Sequence, residues 1–269
     1  MIFDVIVLAG TSEKDNELLI REQVPAKPFI KLGEKMFLEH EIDTISKLDF
    51  IRDVYISGMS EKDWKTKLSR PVIFDNFQAG IVEKLKHFRH DIYTPETEPN
   101  YVIIISGDIP LITKEAIERF IEKCKQTTDG ELKALYYMCL VDEKVMNAKF
   151  PGSNRHYLKL KDVKWCAGDT ILTQPSIIDS HGDVLDQLVN NRKSVFKSLF
   201  VLSPMTVFKI LIGRLTMAGF NDAINKYLFK QPNSCIGVLA DDPELGMDVD
   251  KPFHLDIVRE YYNKNKKIK

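Results

Sequence analysis

Cysteine is scarce in this chain, long apolar runs are missing and the charges nearly cancel. Each shortage removes a class of protein. The four cysteines, Cys124, Cys139, Cys166 and Cys235, lie far apart with no Cys-x-x-Cys pair. That argues against a zinc ribbon or a disulfide framework and fits buried, reduced thiols in a cytoplasmic protein. No apolar stretch approaches the roughly 20 residues that a membrane helix needs. The opening run from Met1 to Gly10 is too short to span, and it lacks a basic start and a cleavage-site pattern. It reads as a strand, not a signal segment. Basic residues number 38 against 39 acidic ones, a formal net charge of −1. Such a balance disfavours a protein built to coat nucleic acid. The six histidines form no cluster. Neither G-x-S-x-G, G-x-x-x-x-G-K-[ST] nor G-x-G-x-x-G occurs, so hydrolase elbow, P-loop and dinucleotide loop all lack their marker.

What is present is an alternation of strand and helix periods over 269 residues, enough for one large domain spanning 1–269. Asp4 to Leu8 reads as a continuous apolar run with β-branched residues, typical of a strand buried on both faces. Lys35 to Leu48 repeats apolar residues at helical spacing through Met36, Phe37, Ile42, Ile45 and Leu48. Short strands follow at Asp53–Ile56 and Pro71–Phe74, then a helix from Phe77 to Phe88. Tyr101 to Ile105 is the most apolar strand, and Thr113 caps the next helix. Later strands are expected at Leu132–Val141, His156–Leu160 and Cys235–Leu239, with a closing helix at Pro252–Tyr262. A helical insertion occupies about 180–230. The expected fold is α/β: a mainly parallel, Rossmann-like sheet with helices on both faces. Ligands of such sheets bind outside the carboxyl ends of the strands.

Three segments stand where such chemistry happens. Leu8-Ala9-Gly10-Thr11 runs from a strand into a glycine turn, where backbone N–H groups can converge on a phosphate. Ser106-Gly107-Asp108-Ile109-Pro110-Leu111 follows the central strand and throws an aspartate out at its end. A hard cation such as Mg²⁺ takes one or two carboxylates together with phosphate oxygens, although an aspartate here also suits a turn cap. Near the other end, Asp248-Val249-Asp250 precedes Lys251-Pro252; in an extended Asp-Val-Asp both carboxylates point to one side. Asp250 is the first choice as a ligand and Asp248 the second, and Asp250 can equally cap the last helix. Between these segments, Lys27 stands flanked by Ala26 and Pro28 after Pro25, in backbone that a following proline holds extended.

Taken together, the strand ending in L-A-G, the P-x-K-P-hydrophobic-hydrophobic-x-x-G segment, the G-D-x-P-L motif and the G-hydrophobic-D-hydrophobic-D-x-P segment resemble the MobA-like NTP transferases. These belong to the nucleotidyltransferases of the glycosyltransferase-A-like fold. The resemblance implies a Mg²⁺-dependent transfer of an NMP from an NTP to a phosphorylated or hydroxyl acceptor, with pyrophosphate released. It implies a nucleotide site at Leu8, Ala9, Gly10, Thr11, Lys27, Asn76 and Ser106, with Lys27 and Asp108 catalytic. It further implies a metal on Asp108, Asp250 and Asp248, and an acceptor near Arg155 and Asp169, the latter in a glycine-containing turn. The expected partners are an NTP and a small-molecule acceptor, with neither nucleic acid nor membrane involved. The chain departs from the family pattern at Thr11, where a second glycine usually stands. It also has no arginine in Ser12-Glu13-Lys14-Asp15, and no small Gly/Ser-rich turn at Leu68–Val72. A sugar-nucleotide glycosyltransferase, or a catalytically altered nucleotide-binding protein of the same fold, is the alternative.

Overall fold

Strand β1 (Phe3–Leu8) runs through the middle of the main sheet, as its apolar run from Val5 to Leu8 favours. The structure is a computed structural model that describes residues 1–10, 16–191 and 203–266. A small antiparallel hairpin of β2 (Lys31–Leu32) and β3 (Lys35–Met36) precedes helix α2 (Phe37–Ile45), which follows α1 (Asn16–Glu22). The hairpin takes the first turn of the helix expected from Lys35. Next come β4 (Ile51–Ser57), β5 (Ile73–Asp75), α3 (Ile81–His87), β6 (Val102–Ser106) and α4 (Lys114–Gln126). The second half adds β7 (Tyr136–Asp142), α5 (Glu143–Lys149), β8 (Leu158–Lys159) and β9 (Lys164–Thr173). Helices α6 (Ile177–Asn191), α7 (Pro204–Leu211) and α8 (Met217–Ala223) lead to β10 (Cys235–Ala240) and α9 (Pro252–Lys266). Part of the helical stretch expected at about 180–230, positions 192–202, lies outside the described residues.

The sheet order is β10-β7-β9-β6-β1-β4-β5, with β8 paired to β9. Strands β5, β4, β1 and β6 are mutually parallel, and β10 is parallel to β7. Strand β9 runs antiparallel between β6 and β7 and joins the two parallel sets. The expected mostly parallel α/β sheet is therefore present, but β9 lies where a loop and a turn were expected. Alternation along the strands makes two cores. Val5, Val7, Ile103 and Ile105 face α2, α4 and α9, whereas Ile6, Val102 and Ile104 face α3, α6 and the helices after it. Among the described residues, no helix is long and apolar enough to cross a membrane.

Candidate active site

The carboxyl ends of β1 and β6 are stitched together by backbone. Gly107 donates its N–H to the Leu8 carbonyl at 2.9 Å. A side chain at Gly107 would sit 2.8 Å from that oxygen, so only glycine permits the approach. Ala9 donates to the Ser57 carbonyl at 2.8 Å, which ties the same edge to β4. Leu8, Ala9, Gly10 and the Ser106–Asp108 turn thus form one rim, as expected for a sheet of this kind. Thr11 lies outside the described residues.

Lys27 reaches this rim from a different backbone than expected. Ala26 is extended, but Lys27–Phe29 forms a single tight helical turn, with Pro28 supplying a preset φ. From there its ammonium meets Asp108 Oδ2 at 2.8 Å and Asp250 Oδ1 at 2.6 Å. Burial works against the charge on Lys27, and the two carboxylates outweigh it, so the ammonium is held firmly protonated. Burial likewise raises Asp250, yet Lys27 more than reverses this and holds the carboxyl below its ordinary range. Ser106 Oγ donates to Asp108 Oδ1 at 2.7 Å and fixes the second oxygen.

The Asp248–Asp250 segment has no regular structure and is not a strand. Val249 donates its N–H to the Asp108 carbonyl at 3.0 Å, bringing the two acidic segments face to face. One oxygen each from Asp108, Asp248 and Asp250 lies within 4.8 Å of the others. Arg155 does not stand open for a second substrate: its guanidinium is bound to the Asp248 carboxylate and carbonyl. Burial and the neighbouring Asp169 push the Asp248 carboxyl up, against the pull of Arg155. Asp169 belongs to β9 and not to a turn. Its strand setting depends on Gly168, whose missing side chain leaves room for Cys139 Sγ and the Leu245 carbonyl, 2.7 and 3.0 Å from where a Cβ would be.

Two buried side chains that the sequence did not single out support this arrangement. His254 is 4% exposed, and burial lowers its pKa to about 4. Asp250 N–H can only donate, so His254 Nδ1 accepts from it at 3.3 Å, and Nε2–H donates to the Ser153 carbonyl at 3.1 Å. Glu41 is fully buried on α2 and accepts the Ile109 N–H at 3.1 Å, directly beyond Asp108. Burial, reinforced by Asp108, drives its carboxyl well above the usual range. An i+4 spacing from Phe37 placed Glu41 on the apolar face, a signal readable in the sequence. Asn76 is exposed, and the side chains that reach Gly10 are instead Gln78 and Lys84.

No protein-family model matches the chain, and no curated protein matches it. Solved structures do. A hypothetical transferase from Thermus thermophilus superposes with a TM-score of 0.74 at 21% identity, covering 95% of this chain and 100% of that one. CMP:2-keto-3-deoxy-manno-octonic acid synthetase complexed with CTP gives 0.54 at 12% identity over 98% and 99%. A 2-C-methyl-D-erythritol 4-phosphate cytidylyltransferase, also from Thermus thermophilus, gives 0.51 at 8% over 98% and 100%. The chain therefore has the fold of nucleotidyltransferase structures along almost its whole length.

Proposed function

We propose that this chain is a nucleotidyltransferase that moves an NMP from an NTP to a phosphorylated or hydroxyl-bearing small molecule and releases pyrophosphate. The observation that carries this reading is the convergence of Lys27, Asp108 and Asp250 at the rim beside Gly10. Separate segments that resemble the motifs of one family meet there within hydrogen-bond distance, which supports this reading.

The donor set suits Mg²⁺ on its chemistry. It offers carboxylate oxygens only, drawn from Asp108, Asp250 and Asp248, and these fit a hard cation. Bound there, Mg²⁺ would act as a Lewis acid on the phosphate oxygens. Asp108 and Asp250 serve as its ligands in this reading, and Asp248, already committed to Arg155, as a weaker one.

The chain's own groups carry the rest. The acceptor oxygen attacks the α-phosphorus as the bond to the β-phosphate breaks, and pyrophosphate leaves with the electron pair. Lys27, held protonated, neutralises the charge that grows on the leaving group. Leu8, Ala9, Gly10 and Ser106 line the nucleotide side of the rim, while Arg155 and Asp169 border the acceptor side, Arg155 through its grip on Asp248. The motifs at Gly10, Lys27 and Asp108 favour the MobA-like branch, and the scattered cysteines and the alternation of elements fit a cytoplasmic single domain carrying the helical stretch of about 180–230. A glycosyltransferase of this fold would place an Asp-x-Asp after the central strand; Ser106-Gly107-Asp108 has one aspartate.

The deciding assay incubates each NTP with Mg²⁺ and candidate acceptors and follows the phosphate products. Pyrophosphate release that vanishes in Asp108→Asn supports the proposal. Nucleoside diphosphate release in its place would overturn it in favour of sugar transfer.

A further inference from the structure

At the opposite side of the Gly10 rim from the aspartates lies a lysine that the mechanism above does not use. Lys84, on α3, is 5% exposed, and its Nζ has no hydrogen-bond partner among the described residues. An ammonium is rarely left this way, because desolvation without a partner is costly. Burial depresses its pKa to about 8, and only the nearby Asp75 acts in the other direction.

Two glycines border that nitrogen. A Cβ at Gly58 would fall 2.5 Å from Lys84 Nζ and 2.9 Å from the backbone of Gly10. Gly58 also has a φ of +94°, a second reason for glycine. A Cβ at Gly10 would have Lys84 Nζ at 3.6 Å and Gln78 Oε1 at 3.7 Å. Gln78 donates its Nε2 to the Gly58 carbonyl at 2.6 Å. A carbonyl only accepts, so this bond fixes the amide and turns Oε1 toward Gly10. One donor head and one acceptor head thus flank the same glycine backbone, at the ends of β1 and β4.

We infer that Lys84 and Gln78 read the nucleobase of the bound nucleotide, Lys84 donating to a ring nitrogen or carbonyl oxygen and Gln78 accepting from the neighbouring amino or imino group. A phosphate fits this place poorly. It would face the Gln78 oxygen, an acceptor, and the carboxylate of Asp75, a like charge. A base edge satisfies both heads at once. The four-carbon stem of Lys84 lets the amine advance to the ligand without backbone movement. The inference rests on the nucleotidyltransferase reading, which the test must be able to fail separately.

The test measures binding of ATP, GTP, CTP and UTP, and of inorganic tripolyphosphate, each with Mg²⁺, to the wild-type chain, Lys84→Met and Lys84→Gln. The expected result is a preferred NTP whose affinity drops about tenfold in both variants, the loss of one good hydrogen bond. Tripolyphosphate affinity stays within about twofold of wild type, and the melting temperature holds or rises because an unpartnered buried amine has been removed. If the wild type binds none of the four nucleotides, the nucleotidyltransferase reading itself falls. Nucleotide binding that is intact in both variants overturns the role of Lys84 alone. An equal loss of tripolyphosphate makes Lys84 a phosphate contact and overturns base reading. A variant that melts earlier but binds as before makes it a structural lysine. Should Lys84→Met not fold, Lys84→Gln, whose amide is uncharged and whose stem is too short to reach the base, decides.

Discussion

Two buried lysines stand on one rim in contrasting electrical settings. Lys27 sits between two carboxylates and is held protonated, whereas Lys84 has no hydrogen-bond partner among the described residues and is driven down to about 8. The first was legible in the sequence, because the prolines and motif around it mark a fixed position. The second was not, since a lysine at helical spacing in Ile81–His87 reads as part of a solvated face. Lys27→Met should lower turnover by about two to three orders of magnitude, seen as pyrophosphate release at saturating NTP. The folded chain should survive this change, which leaves Asp108 and Asp250 able to share a cation. The folded pKa of Lys84, about 8, lies below the ordinary 10.5, so the folded state releases its proton first. Below about 8 both states carry the charge, and folding bears the full cost of burying it; between about 8 and 10.5 stability returns. Lys84→Met should therefore exceed wild type in denaturant midpoint most at pH near 7, with the gap closing as the pH rises from about 8 toward 10.5.

Among the elements, β9 is the one that sequence reasoning misplaced. Trp165 to Thr170 contains Ala-Gly-Asp, which has the composition of a turn. Tertiary fit overrides that preference here, because Gly168 is needed for packing against Cys139 and Leu245, not for bending the chain. Gly168→Ala should destabilise the protein by about 1–3 kcal/mol, the usual cost of overpacking, as a shifted urea midpoint at unchanged slope. The strands β1, β4 and β6 were legible because β-branched runs buried on both faces have few other fates. The Asp248–Asp250 segment was found as a motif and misjudged as a strand. His254, at the start of α9, helps hold it through bonds to Asp250 and Ser153, beside Val249, Arg155 and Lys27. His254→Leu keeps the volume roughly and removes both bonds. It should reduce turnover more than the melting temperature, with a weakened Mg²⁺ dependence as the specific sign, read in a metal titration of the activity.

For the molecule as a whole, the candidate site is assembled from parts remote in sequence. The Lys27–Asp250 bond spans 223 positions, and no local pattern could have shown that these residues meet. Family resemblance brought them together on paper, and the parallel edge of the sheet explains physically why they do. Nucleotide and cation should then stabilise the chain jointly. The melting temperature is expected to rise with NTP and Mg²⁺ together, by a few degrees at about 100 times Kd, and chelation should erase most of the gain. Asp108→Asn should abolish the metal-dependent part. The antiparallel clasp of β9 also has a consequence for synthesis. While the ribosome is still making the stretch after Ser106, strand β6 has its partner β1 on one side only, and its other edge is open. Such an edge invites a neighbouring nascent chain. The hazard lasts until Thr173 has emerged, so translation speed across the α4-to-β9 interval sets how long each new copy is exposed to mispairing.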